Sequence, residues 1–254
     1  KWNIPIIGGR YGLSSKDTTP DQIATVYENL KRDESKDRFT IGIVDDVTNT
    51  SLTAIEIPDT SPQGQYSAIF WGMGSDGTVG ANKNSIKIIG EATNLNCQAY
   101  FVYDSKKSGG LTQSHLRFGA KPIRSAYLVR KADFIACHNP SYVSKYDMVK
   151  SMKQGGTFLL NCPWDADELE HYIPAQMKKD LADKKARLVV IDAIKLARMA
   201  GLGNRTNTIL QAAFFKLTGV IELNTAVQEM KAANYKSYFL KKGQSVVDQN
   251  NASI

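Results

Sequence analysis

Gly72, Gly74 and Gly77 stand as G-x-G-x-x-G inside "FWGMGSDGTVGANKNS" (residues 70–85), directly after the apolar run Tyr66, Ala68, Ile69, Phe70, Trp71 and before a helical pattern. A strand, then glycines, then a helix is the context that gives this common spacing its meaning as a phosphate-binding loop. Glycines let the backbone approach a diphosphate, and the helix start offers unpaired N–H groups and the positive end of its dipole. The next strand pattern ends in "YDSKKSGG". Adjacent strand ends of a parallel sheet lie side by side, so Asp104, Lys106 and Lys107 are expected at the same crevice, the acid for a ribose hydroxyl and the lysines for phosphate charge. Asp76 opposes a diphosphate unless its carboxylate points away or bonds a ligand hydroxyl or a backbone donor. Together with the two lysines, it argues against an ordinary nicotinamide site and for a ligand carrying extra phosphate. The plain alternative is a tight strand-to-helix turn that holds no ligand.

Other residues offer less. His115, His138 and His171 with Cys97, Cys137 and Cys162 lack metal-ligand spacing, and the adjacent pair Cys137 and His138 would point to opposite faces of a strand. No C-x-x-C is present, so an iron-sulfur cluster held by this chain is not expected. Met73 stands where a G-x-S-x-G nucleophile loop needs glycine, which sets aside Ser75 as a nucleophile. Asp45 and Asp46 in "VDDVTNTS" read either as a cation pair or as a solvated turn, with the turn preferred. Arg124 and Arg130 flank a strand-like piece within reach of a phosphate or simply at the surface, and Asn204 or Thr206 is placed to cap a helix.

These residues need elements to hold them. "IPIIGG" reads as a short buried strand. "TTPDQIATVYENLKR" follows as a helix with Thr19 as N-cap, Pro20 at its first position, Gln22 completing a capping box, and Ile23, Val26, Tyr27 and Leu30 at helical spacing. "RFTIGIV" is a further strand, and the polar stretch from Asp45 to Gln65 a connection, with the domain boundary near 62. Beyond it come "YSAIFW", the glycine loop, a helix through "VGANKNSIKIIGEATN" with Val79, Ile86 and Ile89 toward a sheet, and the strand "CQAYFVYD". "ADFIACHN", "GTFLLNCP" and "ARLVVIDA" are three more apolar runs with turns or helical stretches between them, and "TNTILQAAFFKLTGV" and "NTAVQEMKAANYKSYF" are helical. The fold class is α/β, a layered sheet flanked by helices and largely parallel. "SHLRFGAKPIRSAYLV", read as two strand pieces joined by a turn at Gly119–Pro122, makes a mixed sheet an open alternative.

Length and composition fit this reading. A chain of 254 residues with 42% hydrophobic content buries enough surface for one or two globular domains without staples. The three scattered cysteines suit a reducing, cytoplasmic compartment, and the sequence has neither a signal-peptide pattern nor an apolar run near the roughly 20 residues of a membrane span. The opening in mid-strand pattern and the polar close "DQNNASI" lead us to expect a piece of a longer chain. A net charge of +7 favours anionic partners, but the basic residues are spread and no nucleic-acid-reading motif accompanies them, so neither nucleic acid nor a membrane is expected as partner.

"GGRYGLSSKDTTP", "FTIGIVDDVTNTSL", "GMGSDGTVGANKNSIKIIGE", "AYFVYDSKKSGGLTQSHLRFG" and "GGTFLLNCPW" strongly resemble the pyruvate:ferredoxin (flavodoxin) oxidoreductases, thiamine-dependent enzymes of anaerobic metabolism, over essentially the whole chain. The resemblance implies that residues 1–62 are the end of a transketolase C-terminal-like domain with its linker, and that 63–254 are a gamma-like domain that handles coenzyme A. It implies coenzyme A contacts at Gly74, Ser75, Asp76, Gly77, Thr78, Val79 and Gly80, at Asn82 and Lys83 in the helix start, and at Lys106 and Lys107. The loop amides would hold the diphosphate and the lysines would neutralise phosphate charge. It further implies a homodimeric parent in which thiamine diphosphate and [4Fe-4S] clusters sit elsewhere and ferredoxin or flavodoxin takes the electrons. This chain would then be inactive alone, its partners being the remaining domains of the parent. Two alternatives stay open: a structural docking module of that enzyme, and an NAD(P)-binding domain.

Overall fold

The computed structural model describes residues 4, 6–13, 16–45, 47–104 and 109–254. The chain divides into two compact units, Lys1–Ser61 with Ser125–Leu128, and Pro62–Arg124 with Val129–Ile254. No helix among the described residues is long and apolar enough to cross a membrane.

In the first unit a parallel pair, β1 (Gly9–Arg10) and β2 (Phe39–Thr40), accompanies helix α1 (Pro20–Leu30). Pro20 opens α1, where its missing N–H costs nothing, and Gln22 Oε1 accepts the Thr19 N–H at 3.4 Å. The strand expected over "IPIIGG" shrinks to β1, because Ile4 and Ile6 are exposed rather than buried. The stripe on α1 is also turned differently. Ile23 and Tyr27 are exposed, while Thr25 and Asn29 are buried, since both spend their polar groups on neighbouring backbone: Thr25 Oγ1 accepts from Ile55 N–H at 2.9 Å, and the Asn29 amide donates to Lys36 O at 2.9 Å. Phe39, Ile41 and Leu52 form the small core of this unit.

The second unit is a six-stranded sheet built from β3 (Tyr66–Met73), β4 (Asn96–Tyr103), β5 (Leu111–Gly119), β6 (Ala132–Cys137), β7 (Met152–Asn161) and β8 (Arg187–Ile191). Its spatial order is β4-β5-β3-β6-β7-β8. β3, β6, β7 and β8 run parallel, and β5 lies antiparallel between β3 and β4. The sheet is therefore mixed. The expected second strand piece after Gly119–Pro122 does not form; Ser125–Leu128 instead belong to the first unit.

Helices cover both faces, as a largely parallel sheet requires. Ala68, Phe70, Leu116, Phe134 and Leu159 pack under α2 (Thr78–Ala92), α5 (Ala193–Met199), α6 (Asn207–Thr218) and α7 (Leu223–Lys242). Ile69, Ile135, Phe158 and Leu160 pack on the other face, with Ile173 and with Met177 and Leu181 of α4 (Ala175–Asp183). Phe70, Phe134 and Phe214 meet edge-on or tilted at 5.1–5.7 Å, and each buried ring contributes about 1.5–3 kcal/mol by leaving water. α3 (Ala166–Tyr172) and α8 (Gln244–Asn251) complete the unit.

This strand order fixes where a ligand crevice lies. The chain leaves β3 through α2 toward β4 on one side, whereas β6, β7 and β8 extend the sheet on the other. The winding thus reverses at β3, and the loop that follows β3 stands at its carboxyl end, the end of an open α/β sheet where sites lie.

Candidate functional site

The loop Gly74–Gly77 joins β3 to α2. Gly72, the last glycine inside β3, lets the helix settle on the strand: a Cβ there would lie 2.6 Å from Thr78 Oγ1 and 2.7 Å from Thr78 Cβ. Gly77 sits at the N-cap of α2 with φ +86°, a left-handed conformation that disfavours side chains. Gly74 N–H donates to Gly110 O at 2.7 Å, tying the loop to the entry of β5.

Asp76 turns inward on its own loop. Its Oδ2 accepts from Met73 N–H at 2.8 Å and its Oδ1 from Thr78 N–H at 2.7 Å, so a carboxylate satisfies one donor at the helix start. Of the possibilities the sequence left for this residue, bonding to a backbone donor is the one adopted. Among the described residues, the first-turn N–H groups of Val79 and Gly80 donate to no protein acceptor and remain available to an anion.

Behind the loop a hydrogen-bond chain links the strand ends. Thr78 Oγ1 lies 2.8 Å from His138 Nδ1, at the end of β6. The His138 main chain donates to Trp71 O at 2.9 Å and accepts from Asn161 Nδ2 at 2.9 Å, and Asn161 Oδ1 accepts from Ala193 N–H at 3.0 Å, where α5 begins. Desolvation lowers the His138 pKa to about 4, with the nearby Asp76 carboxylate opposing the shift, so the imidazole is neutral at physiological pH. A hydroxyl beside a histidine resembles a nucleophile and its base. Thr78 is only 1% exposed and His138 Nε2 is shut away from water with no partner among the described residues, so the pair braces the loop from behind.

A pocket of about 340 Å³ opens beside the loop, lined by Met73, Gly74, Ser75, Asp76, Gly77 and Val79 on one side and by Tyr103, Asp104, Gly110, Leu111 and Thr112 on the other. Of the expected ligand residues, the structure gathers Gly74, Ser75, Asp76, Gly77 and Val79 at this pocket, with Asp104 opposite. Thr78 and Asn82 are buried inward at 1% and 3% exposure, Gly80 is exposed on the helix, and Lys83 is exposed with its Nζ 5.3 Å from the Phe101 ring centre. Lys106 and Lys107 lie outside the described residues, as does Asp46.

Asp104 reaches the pocket by a different route from the one expected. β4 does not neighbour β3; β5 runs between them, and Asp104 N–H donates to Leu111 O at 2.9 Å as the chain enters that intervening strand. Sequence reasoning missed Tyr103, Gly110, Leu111 and Thr112. The signal lay in the Gly109–Gly110 pair that opens "GGLTQSHLRFG", because β5 begins directly after it, ahead of the piece read as a strand.

The weaker candidates resolve into structure. Asp45 accepts from Val47 N–H at 3.1 Å, Thr48 N–H at 3.0 Å, Thr50 Oγ1 at 2.7 Å and Thr48 Oγ1. Those bonds hold its carboxyl far below the usual range and leave it stapling its own turn. Cys137 is buried, its thiol pushed up to about 12 chiefly by desolvation, and no group of three metal-ligating side chains occurs among the described residues. Thr206 stands at the N-cap of α6, without a side-chain cap bond.

Residues 67–254 match the pyruvate ferredoxin/flavodoxin oxidoreductase family. The chain is 53% identical over 252 residues to the pyruvate:ferredoxin oxidoreductase of Moorella thermoacetica, covering 99% of this chain and 21% of that protein. It is 50% identical to the pyruvate-flavodoxin oxidoreductase of Enterobacter agglomerans, covering 100% of this chain and 22% of the other. It therefore spans about a fifth of the length of these curated relatives. The fold is also that of the pyruvate oxidoreductase subunit PORC of Thermotoga maritima, with a TM-score of 0.59 at 17% identity, covering 75% of this chain and 93% of that one. A 2-oxoglutarate:ferredoxin oxidoreductase of Magnetococcus marinus, solved with 2-oxoglutarate, coenzyme A and succinyl-CoA, superposes with a TM-score of 0.57 at 17% identity over 76% of this chain and 30% of that one. With its glycine loop, mixed sheet and near-complete alignment to these enzymes, the chain belongs to the pyruvate ferredoxin/flavodoxin oxidoreductase family.

Proposed function

We propose that this chain is the coenzyme A-handling part of a pyruvate:ferredoxin or flavodoxin oxidoreductase and that it catalyses nothing alone. The observation that carries the reading is the loop pocket, where Val79, whose N–H donates to no protein acceptor among the described residues, lines one wall at the start of α2 and Tyr103 and Asp104 line the other. The parent enzyme decarboxylates pyruvate on thiamine diphosphate, sends electrons through [4Fe-4S] clusters to ferredoxin or flavodoxin, and passes the acetyl group to coenzyme A. The described residues do not fit the clusters: Cys97, Cys137 and Cys162 form no ligand group. The thiamine and cluster sites are therefore assigned to the rest of a homodimeric, cytoplasmic parent. Residues 1–62 are read as the end of its transketolase C-terminal-like domain and 63–254 as its gamma-like domain.

In this role the chain's own residues bind and orient. Backbone donors of the first turn of α2 take diphosphate oxygens, the Asp76 carboxylate holds the loop's shape, and Lys106 and Lys107, assigned from sequence, meet the ribose phosphate. The docking-module reading has one observation in its favour, since Asp76 already occupies a donor at the helix start. Calorimetry of the full-length enzyme with coenzyme A and with dephospho-coenzyme A separates the readings. Coenzyme A is expected to bind at least tenfold more tightly, the value of about one charge-assisted hydrogen bond, with the gap closing when both lysines become Ala. Equal affinities would refute the lysine assignment, silence toward both ligands would favour docking, and competition by NADPH would favour the dinucleotide reading.

A further inference from the structure

The pocket has a second wall that the phosphate reading does not use. Strand register sets Tyr103, Thr112 and Gly72 side by side across β4, β5 and β3, so their side-chain positions share one face of the sheet. That is the face α2 covers, but α2 begins at Thr78, directly above Gly72. Phe101, two residues back along β4, lies beneath the helix side chain Lys83, whereas Tyr103 lies past the helix start and stays 57% exposed. An aromatic ring at a strand end is thus left uncovered beside a loop built to receive an anion. Between ring and loop lies Thr112, which lines the same pocket and is only 5% exposed.

We propose that Tyr103 is the base-stacking residue of this site and that the ligand's purine lies on its ring. The inference rests on the coenzyme A reading above and deepens it by naming where the nucleoside end goes. A flat π-face accepts any base. Phosphates then extend toward the N–H groups of Val79 and Gly80, while the pantetheine arm leaves the pocket. Truncating Tyr103 does not touch the core, because the ring is mostly in solvent.

The test uses the full-length enzyme and two halves of the ligand, adenosine 3′,5′-bisphosphate and 4′-phosphopantetheine, alongside intact coenzyme A. Tyr103→Ala is expected to weaken the bisphosphate and coenzyme A by the same factor, roughly 5- to 150-fold for one base–aromatic stack, and to leave phosphopantetheine unchanged. Tyr103→Phe, which keeps the ring, should restore both. An unchanged bisphosphate affinity in Tyr103→Ala, or an equal loss for all three ligands, overturns the assignment. If the bisphosphate binds through Tyr103 while coenzyme A does not bind, the base site stands and the coenzyme A reading falls. Coenzyme A binding that ignores Tyr103 has the reverse meaning. Failure of every ligand to bind the unmodified enzyme overturns both.

Discussion

Gly77→Val is expected to weaken coenzyme A binding about a hundredfold or more and to lower stability by roughly 2–4 kcal/mol, as the loss of two charge-assisted hydrogen bonds and a strained loop would require. Two causes act together. The backbone at Gly77 has φ +86°, where a β-branched residue is strained, and a Cβ built there would lie 2.1 Å from Asn207 Nδ2 and 2.9 Å from its Cγ. Relieving either strain moves the start of α2, and with it the Val79 and Gly80 donors. Asn207→Ala in the same chain separates the causes, because it removes the overlap and leaves the dihedral strain. Partial recovery of the unfolding midpoint with little recovery of affinity is the expected pattern. Wild-type midpoint and affinity in Gly77→Val would show that the loop does not need its left-handed cap.

The second large effect is a loss of stability in acid that traces to His138. Its folded-state pKa is lowered from 6.5 to about 4, chiefly by desolvation, so the folded protein resists a proton that the unfolded chain accepts. Stability from this residue is complete above pH 6.5 and is lost as pH falls toward 4, with roughly 3 kcal/mol at stake across that window. The groups that bear on the ring are Thr78 through its hydroxyl, Asp76 through its charge and Phe70, whose ring stands edge-on at 6.1 Å. Denaturant midpoints measured at several pH values should show the slope in the parent and a much flatter profile in His138→Gln. A parent whose stability does not change over this interval would mean that the histidine is hydrated and free to titrate.

The loop was legible in the sequence because its demands are local. Glycines, an apolar strand before them and a helical pattern after them all fall within the stretch from Tyr66 to Ala92, and β3, the loop and α2 follow in that order. The apolar runs that became β6, β7 and β8 were readable for the same reason: each is a local apolar stretch, buried almost throughout in β6 and in the second half of β7, and half-buried over Val189–Ile191 of β8. What could not be read was partnership. Nothing in "CQAYFVYD" says that its neighbour will be the following antiparallel strand rather than β3, so the route by which Asp104 reaches the loop was misjudged. The stripe on α1 misled in a related way, since Thr25 and Asn29 buried their polar groups against local backbone while Ile23 and Tyr27 faced outward. The His138–Thr78 contact joins residues 60 positions apart and has no sequence signature at all.

The position of β5 also bears on how this protein is made. β4 pairs only with β5 among the described strands, and β5 follows it in the chain. A ribosome therefore releases α2 and β4 before either edge of β4 has anything to bond to, and β3 waits on the same missing strand for its antiparallel neighbour. Once Leu111–Gly119 emerges, it closes both ladders together. During synthesis, protection of the β4 amides and of the β3 amides bonded to β5 should therefore appear as one step, ahead of the β3 amides that wait for β6, and a pause before residue 119 would leave the facing edges of β3 and β4 exposed to other nascent chains.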